Sequence, residues 1–152
     1  MKLAEALTYR ADVQRKIAQL KERIMRNAKV QEGEAPAEEP SDLIIEVEGK
    51  IAELETLVVR INRTNSKTPF DDNSTIADAL AKRDALAQKR DLYFDLAKAA
   101  TVTQERYKAL EIKFHGSVSV RETQKKADSI AKEFRELDLK IQQMNWTIDL
   151  VD

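Results

Sequence analysis

The stretch VRETQKKADSIAKEFRELDLKIQQMNWTIDLV, residues 120–151, decides the fold class. Val120, Thr123, Ala127, Ile130, Phe134, Leu137, Ile141, Met144, Ile148 and Val151 follow one another in strictly alternating steps of three and four. Such steps line one face of an α-helix. Held over more than four heptads, they are the seam of a left-handed coiled coil. Ser119 and Glu122 form a capping box that opens this helix.

The same pattern recurs upstream. Leu3, Ala6, Arg10, Val13, Ile17, Leu20 and Ile24 predict a first helix from about 2 to 28, with Arg10 as the single charge on its apolar stripe. Ile44, Val47, Ile51, Leu54, Val58 and Ile61 predict a second, capped by Ser41 and ending near Asn62. Leu80, Leu86, Tyr93, Leu96 and Ala100 form a looser stripe in a third helix. It starts at Ile76 behind the capping box Thr75/Asp78 and ends somewhere in 100–107. The repeated Lys-Arg-Asp at 82–84 and 89–91 reads as a ladder of exposed ion pairs.

Between these helices lie an acidic loop, 29–41, with two of the three prolines, and a polar turn region, 62–75. The period changes to two over Leu110, Ile112, Phe114, Val118 and Val120, which alternate with polar residues. This predicts a small β element near 110–118, and Asn73 makes 68–76 a second candidate. The expected architecture is mainly all-α: one domain over 1–152, built as an elongated antiparallel four-helix bundle of two helical hairpins. In an up-down-up-down bundle, the start of helix 1, the end of helix 2, the 62–75 loop and the C-terminus meet at one end.

Composition agrees. The chain has 152 residues with 3 Gly and 3 Pro, too few for an all-β fold with its frequent turns. A formal net charge of −1 supplies no field for nucleic acid or anionic lipid, and no nucleic-acid partner is expected. There is no cysteine, hence no thiolate chemistry and no disulfide. Neither an apolar leader nor a spanning run of roughly 20 apolar residues is present, so the cytoplasm is the expected compartment.

Catalytic chemistry finds few parts. His115 is the one histidine, and Ile112 stands where a Glu-x-x-His metal motif requires glutamate. No nucleophile elbow, P-loop or dinucleotide fingerprint occurs. No enzyme activity, metal or cofactor is expected. One polar cluster is chemically able to hold an anion or a partner's carboxylate. Arg60, Asn62, Arg63, Asn65 and Lys67 end helix 2, and the topology brings Arg10, Asn145 and Trp146 toward them. The plainer account is that these groups cap helices and close the bundle end. Ile112, Phe114 and Val118 are the candidate interface residues of the β element.

The segments RIMRNAKVQEGEAPAEEP (23–40), RINRTNS (60–66), IADALAKRD (76–84), EIKF (111–114) and NWTIDL (145–150) resemble the septicolysin-like family of small bacterial proteins. The resemblance implies an all-helical fold with a small β element and no established catalytic residues. Its name implies a cytolysin, although a thiol-activated toxin needs a cysteine and an export signal.

Three functional expectations follow. The first is a non-catalytic, cytoplasmic, homo-oligomeric interaction protein whose partner is itself, with membrane contact not expected. The second is a pore-forming, membrane-acting protein, from the family name and the 110–120 pattern. The third is an anion- or nucleotide-binding module at the Arg60–Lys67 end.

Overall fold

A computed structural model describes residues 1–102 and 113–152 and has four α-helices: α1 (Leu3–Arg26), α2 (Pro40–Lys67), α3 (Ile76–Ala100) and α4 (Val120–Thr147). The mainly all-α class read from the seams is the class observed. Among the described residues, β structure is limited to isolated bridges such as the antiparallel one between Lys2 and Asp149. The chain divides into two compact units, one of residues 1–69 and 142–152, the other of residues 70–141.

In the first unit α1 and α2 form an antiparallel hairpin. Three polar links mark its register: Tyr9 donates to Glu53, Lys16 lies 3.3 Å from Glu46, and Arg23 Nε donates to Glu38 Oε2 at 3.0 Å. On α1 the predicted stripe is the buried one, with Leu3, Ala6, Val13 and Leu20 in the core and Arg10, Ile17 and Ile24 half-buried. On α2 the structure corrects the stripe. Leu43, Leu57, Ile61 and Thr64 are buried, whereas Ile44 and Ile51 are exposed. Helix 2 carries aliphatic residues on several faces, so periodicity alone admits two seams. The hairpin buries the row that starts at Leu43. Helix 2 also runs five residues beyond the expected end, because Arg63 to Lys67 have no helix breaker and Thr64 is buried.

Its start differs as well. Glu39 is the N-cap and Pro40 takes the first turn, where its missing N–H costs nothing. Ser41 lies inside the helix and donates to Glu39 at 3.2 Å. The acidic loop is tied down at both ends. Asn27 donates from its side chain to the Arg23 carbonyl, and its Oδ1 accepts from the Glu38 N–H at 3.2 Å. Gly33 sits at φ +85°, which a residue with a Cβ adopts only with strain.

In the second unit α3 lies antiparallel to residues 120–141 of α4. Ile76, Ala79, Leu86 and Ala97 of α3 and Thr123, Ala127, Ile130 and Ile141 of α4 are buried. The Lys-Arg-Asp repeats do more than decorate a surface. Arg83 reaches across to Asp138 at 3.0 Å, and Arg90 lies 4.9 Å from the Phe134 ring centre. Thr75 caps α3 reciprocally: its Oγ1 accepts from the Asp78 N–H, and its own N–H donates to Asp78 Oδ2 at 2.8 Å.

The β element near 110–118 is corrected. Residues 113–119 are irregular, with a bend at 117–118, and residues 110–112 lie outside the described residues. The reason is local. Gly116 approaches the end of α3 so closely that a Cβ there would stand 3.0 Å from the Ala100 carbonyl oxygen, and Ser119 already turns the chain into α4. Among the described residues the alternation of apolar and polar residues therefore has no ladder to serve. At 68–76 no strand forms either. Residues 70–74 close a tight loop in which the Phe70 and Asp71 N–H groups both donate to the Ser74 carbonyl.

Candidate functional site

The polar cluster lies in the first unit, at the end where the chain's last residues meet the start of α1 and the end of α2. Two backbone bonds make the closure. The Leu3 N–H donates to the Ile148 carbonyl and the Leu150 N–H to the Met1 carbonyl, both at 2.9 Å. Lys2 Nζ adds a bond to the Thr147 carbonyl at 3.0 Å and an ion pair with Asp149 at 2.9 Å. Its ammonium donates to the Asp149 carboxylate and holds that group below the usual aspartate range.

The end of α2 grips the same tail. Arg60 Nε donates to the Val151 carbonyl at 3.0 Å and Arg60 Nη2 to Asp152 Oδ1 at 2.9 Å. Arg63 Nη1 reaches the Asp152 carbonyl at 3.4 Å. Between them Thr64 is fully buried. Its Oγ1 donates to the Arg60 carbonyl at 2.8 Å and accepts from the Val151 N–H at 3.1 Å. Thr64 is the one member of this grip that residue type did not flag. Its signal was its place three residues after Ile61, on the buried row of α2.

The structure thus joins Arg60 and Arg63 to residues 151–152 and leaves the rest of the predicted cluster to separate roles. Asn62 is exposed and Asn65 half-buried on the last turns of α2. Asn145 is buried near the end of α4, and Trp146 beside it is 64% exposed. Arg10 is half-buried on the α1 stripe. Its Nε is enclosed and has no hydrogen-bond partner. Chemically, this end holds a guanidinium committed to the chain's own carboxylate and carbonyls, together with an exposed guanidinium and an exposed indole.

The other candidates separate. Phe114 and Val118 are exposed in irregular chain and Ile112 lies outside the described residues, so the predicted interface strand is absent over 113–119. His115 is exposed. Among the described residues no three His, Asp or Glu groups stand close enough to hold a metal ion. No helix there is long and apolar enough to cross a membrane.

A crystal structure of a functionally unknown conserved protein from Corynebacterium diphtheriae superposes with a TM-score of 0.94 at 48% identity, covering 99% of each chain. No curated protein matches. These findings overturn the septicolysin-like resemblance. The pore-forming reading rested on that resemblance and on a strand at 110–120; the resemblance is overturned and the described residues 113–119 form no strand, so nothing here supports it. A family profile covers residues 10–150, and the chain belongs to that family, the family of unknown function DUF6847.

Proposed function

We propose that this protein is a non-catalytic, cytoplasmic helical interaction protein that assembles with copies of itself. The observation that carries the reading is the apolar surface left uncovered on both units. Ile44, Ile45 and Ile51 of α2 are exposed although the opposite side of that helix packs in the core. Leu92 and Leu96 stand one turn apart on the outer side of α3. Single exposed aliphatic residues are ordinary, but rows of them on helices that already bury another row mark contact surfaces. Sedimentation velocity over a wide concentration range tests this. The reading expects a concentration-dependent oligomer, and a monomer at every concentration overturns it.

A second reading is an anion held at the Arg60–Lys67 end, where Arg63 keeps an exposed guanidinium. It expects inorganic phosphate to raise the melting temperature and Arg63→Ala to remove that rise. No shift in the parent protein overturns it.

A further inference from the structure

We propose that α2 carries a second seam on its exposed side and that this seam docks antiparallel against the same seam of a second copy of the chain. The inference rests on the self-association proposed above and places it on one face of α2, which includes Ile45 but not Ile44 or Ile51. Asp42, Ile45, Gly49, Ala52, Thr56, Val59 and Arg63 follow one another in steps of three and four, and every one of them is exposed. Ile45 is 70% exposed and Val59 40%. The row lies across the helix from Leu43, Leu57 and Ile61, which face the α1 hairpin. Two heptad rows on opposite sides of one helix are what a helix needs when it packs on both sides.

The order of residues along the row specifies the partner. Small residues, Gly49, Ala52 and Thr56, hold the centre, and a Cβ at Gly49 would meet nothing within 4 Å. Aliphatic residues flank that centre, with an acid at one end and a base at the other. Reversed, the row reads base, aliphatic, small, aliphatic, acid. An antiparallel copy therefore sets Ala52 on Ala52, Ile45 on Val59, and Asp42 beside Arg63 at both ends. That is the self-complementarity a two-fold interface requires. A parallel copy would stack Asp42 on Asp42 and Arg63 on Arg63, and would align the helix dipoles. The antiparallel register has costs at the edges of the seam: Glu48 comes beside Glu55 of the second copy, and Glu53, next to the two-fold axis, comes beside Glu53.

The test uses the full chain and sedimentation equilibrium, with circular dichroism to confirm that each variant is folded. Ala52→Glu puts two like charges at the two-fold axis, and its dissociation constant is expected to rise roughly tenfold or more. Glu48→Lys replaces a repulsion by an attraction and is expected to tighten the dimer. Arg63→Asp is expected to weaken it and the double change Asp42→Arg/Arg63→Asp to restore it. The chain has no cysteine, so Ala52→Cys alone is expected to yield a disulfide-linked dimer under mild oxidation. A parent that assembles while Ala52→Glu and Ala52→Cys behave like wild type overturns this inference and leaves self-association standing. A monomeric parent overturns both.

Discussion

The two units hold a pair of antiparallel helices together by different means. In the first, large aliphatic side chains, Leu3, Val13, Leu20, Leu43, Leu57 and Ile61, dominate a core that also holds Ala4 and Ala6, and a segment distant in sequence ties off its end. In the second, Ala79, Ala97 and Ala127 share the described core with Ile76, Leu86, Ile130 and Ile141. Half-buried arginines bridge the helices there at Asp138 and Phe134. Large side chains gain more from burial, about 25 cal/mol for each Å² of apolar surface removed from water, but keep the helix backbones apart. Alanine gains little and lets them approach, so the polar bridges at the rim matter more. The difference teaches that an apolar period alone does not say how a helix pair coheres.

The largest expected effect breaks the first unit at its core. Ile61, 1% exposed, changed to Ala is expected to cost about 2–5 kcal/mol in urea titrations. Trp146, the single tryptophan, lies in that unit and reports on it by fluorescence. Next, Ala127→Leu tests close approach in the second unit. Ala127 is fully buried, and overpacking there is expected to cost about 1–3 kcal/mol, read by circular dichroism. If Leu is accommodated without loss, the second unit is not closely packed at that point and the contrast fails.

Smaller again is Arg83→Ala. Its bridge to Asp138 is partly exposed, and the expected loss is about 0.2–1 kcal/mol, reduced in high salt. The smallest effects come from acid. Asp149 in the first unit is held below the usual range by the Lys2 ammonium, and Glu38 by hydrogen bonding with Arg23. In the second unit the Asn73 N–H does the same for Asp71, and the Thr75 N–H for Asp78. A carboxylate whose folded value is depressed contributes stability above its unfolded value and loses it as pH falls through the folded one. Both units are therefore expected to weaken on acidification below the usual carboxylate range. High salt should blunt that loss where the partner is an ammonium or guanidinium, and leave it where the partner is a backbone N–H. Equal salt sensitivity in circular dichroism and in Trp146 fluorescence would remove the distinction.

These contrasts also show how far the residues could be read. Helix 4 and helix 1 each have one apolar row, and that row is the buried one. Helix 2 has aliphatic residues on more than one side, and the choice between Leu43 and Ile44 depends on what α1 presents, which no local pattern contains. The alternation after Leu110 reads as a strand because period two is a local property, whereas a strand needs a partner and, among the described residues, the end of α3 offers only the close approach of Gly116. At the candidate site, Arg60 and Arg63 meet residues 151–152. That Arg60 grips the chain's own tail depends on where residues 151–152 come to rest, and charge alone cannot tell a ligand from a clamp.

The bonds between residues 1–3 and 148–150 bear on how the molecule is made. A ribosome delivers α1 and α2 early, yet the strap that completes their unit is delivered only after the intervening 72 residues, 70–141, have emerged. Contacts that distant along a chain are slow to find. The nascent hairpin must wait with its end open, and the second unit has time to form before the first is closed.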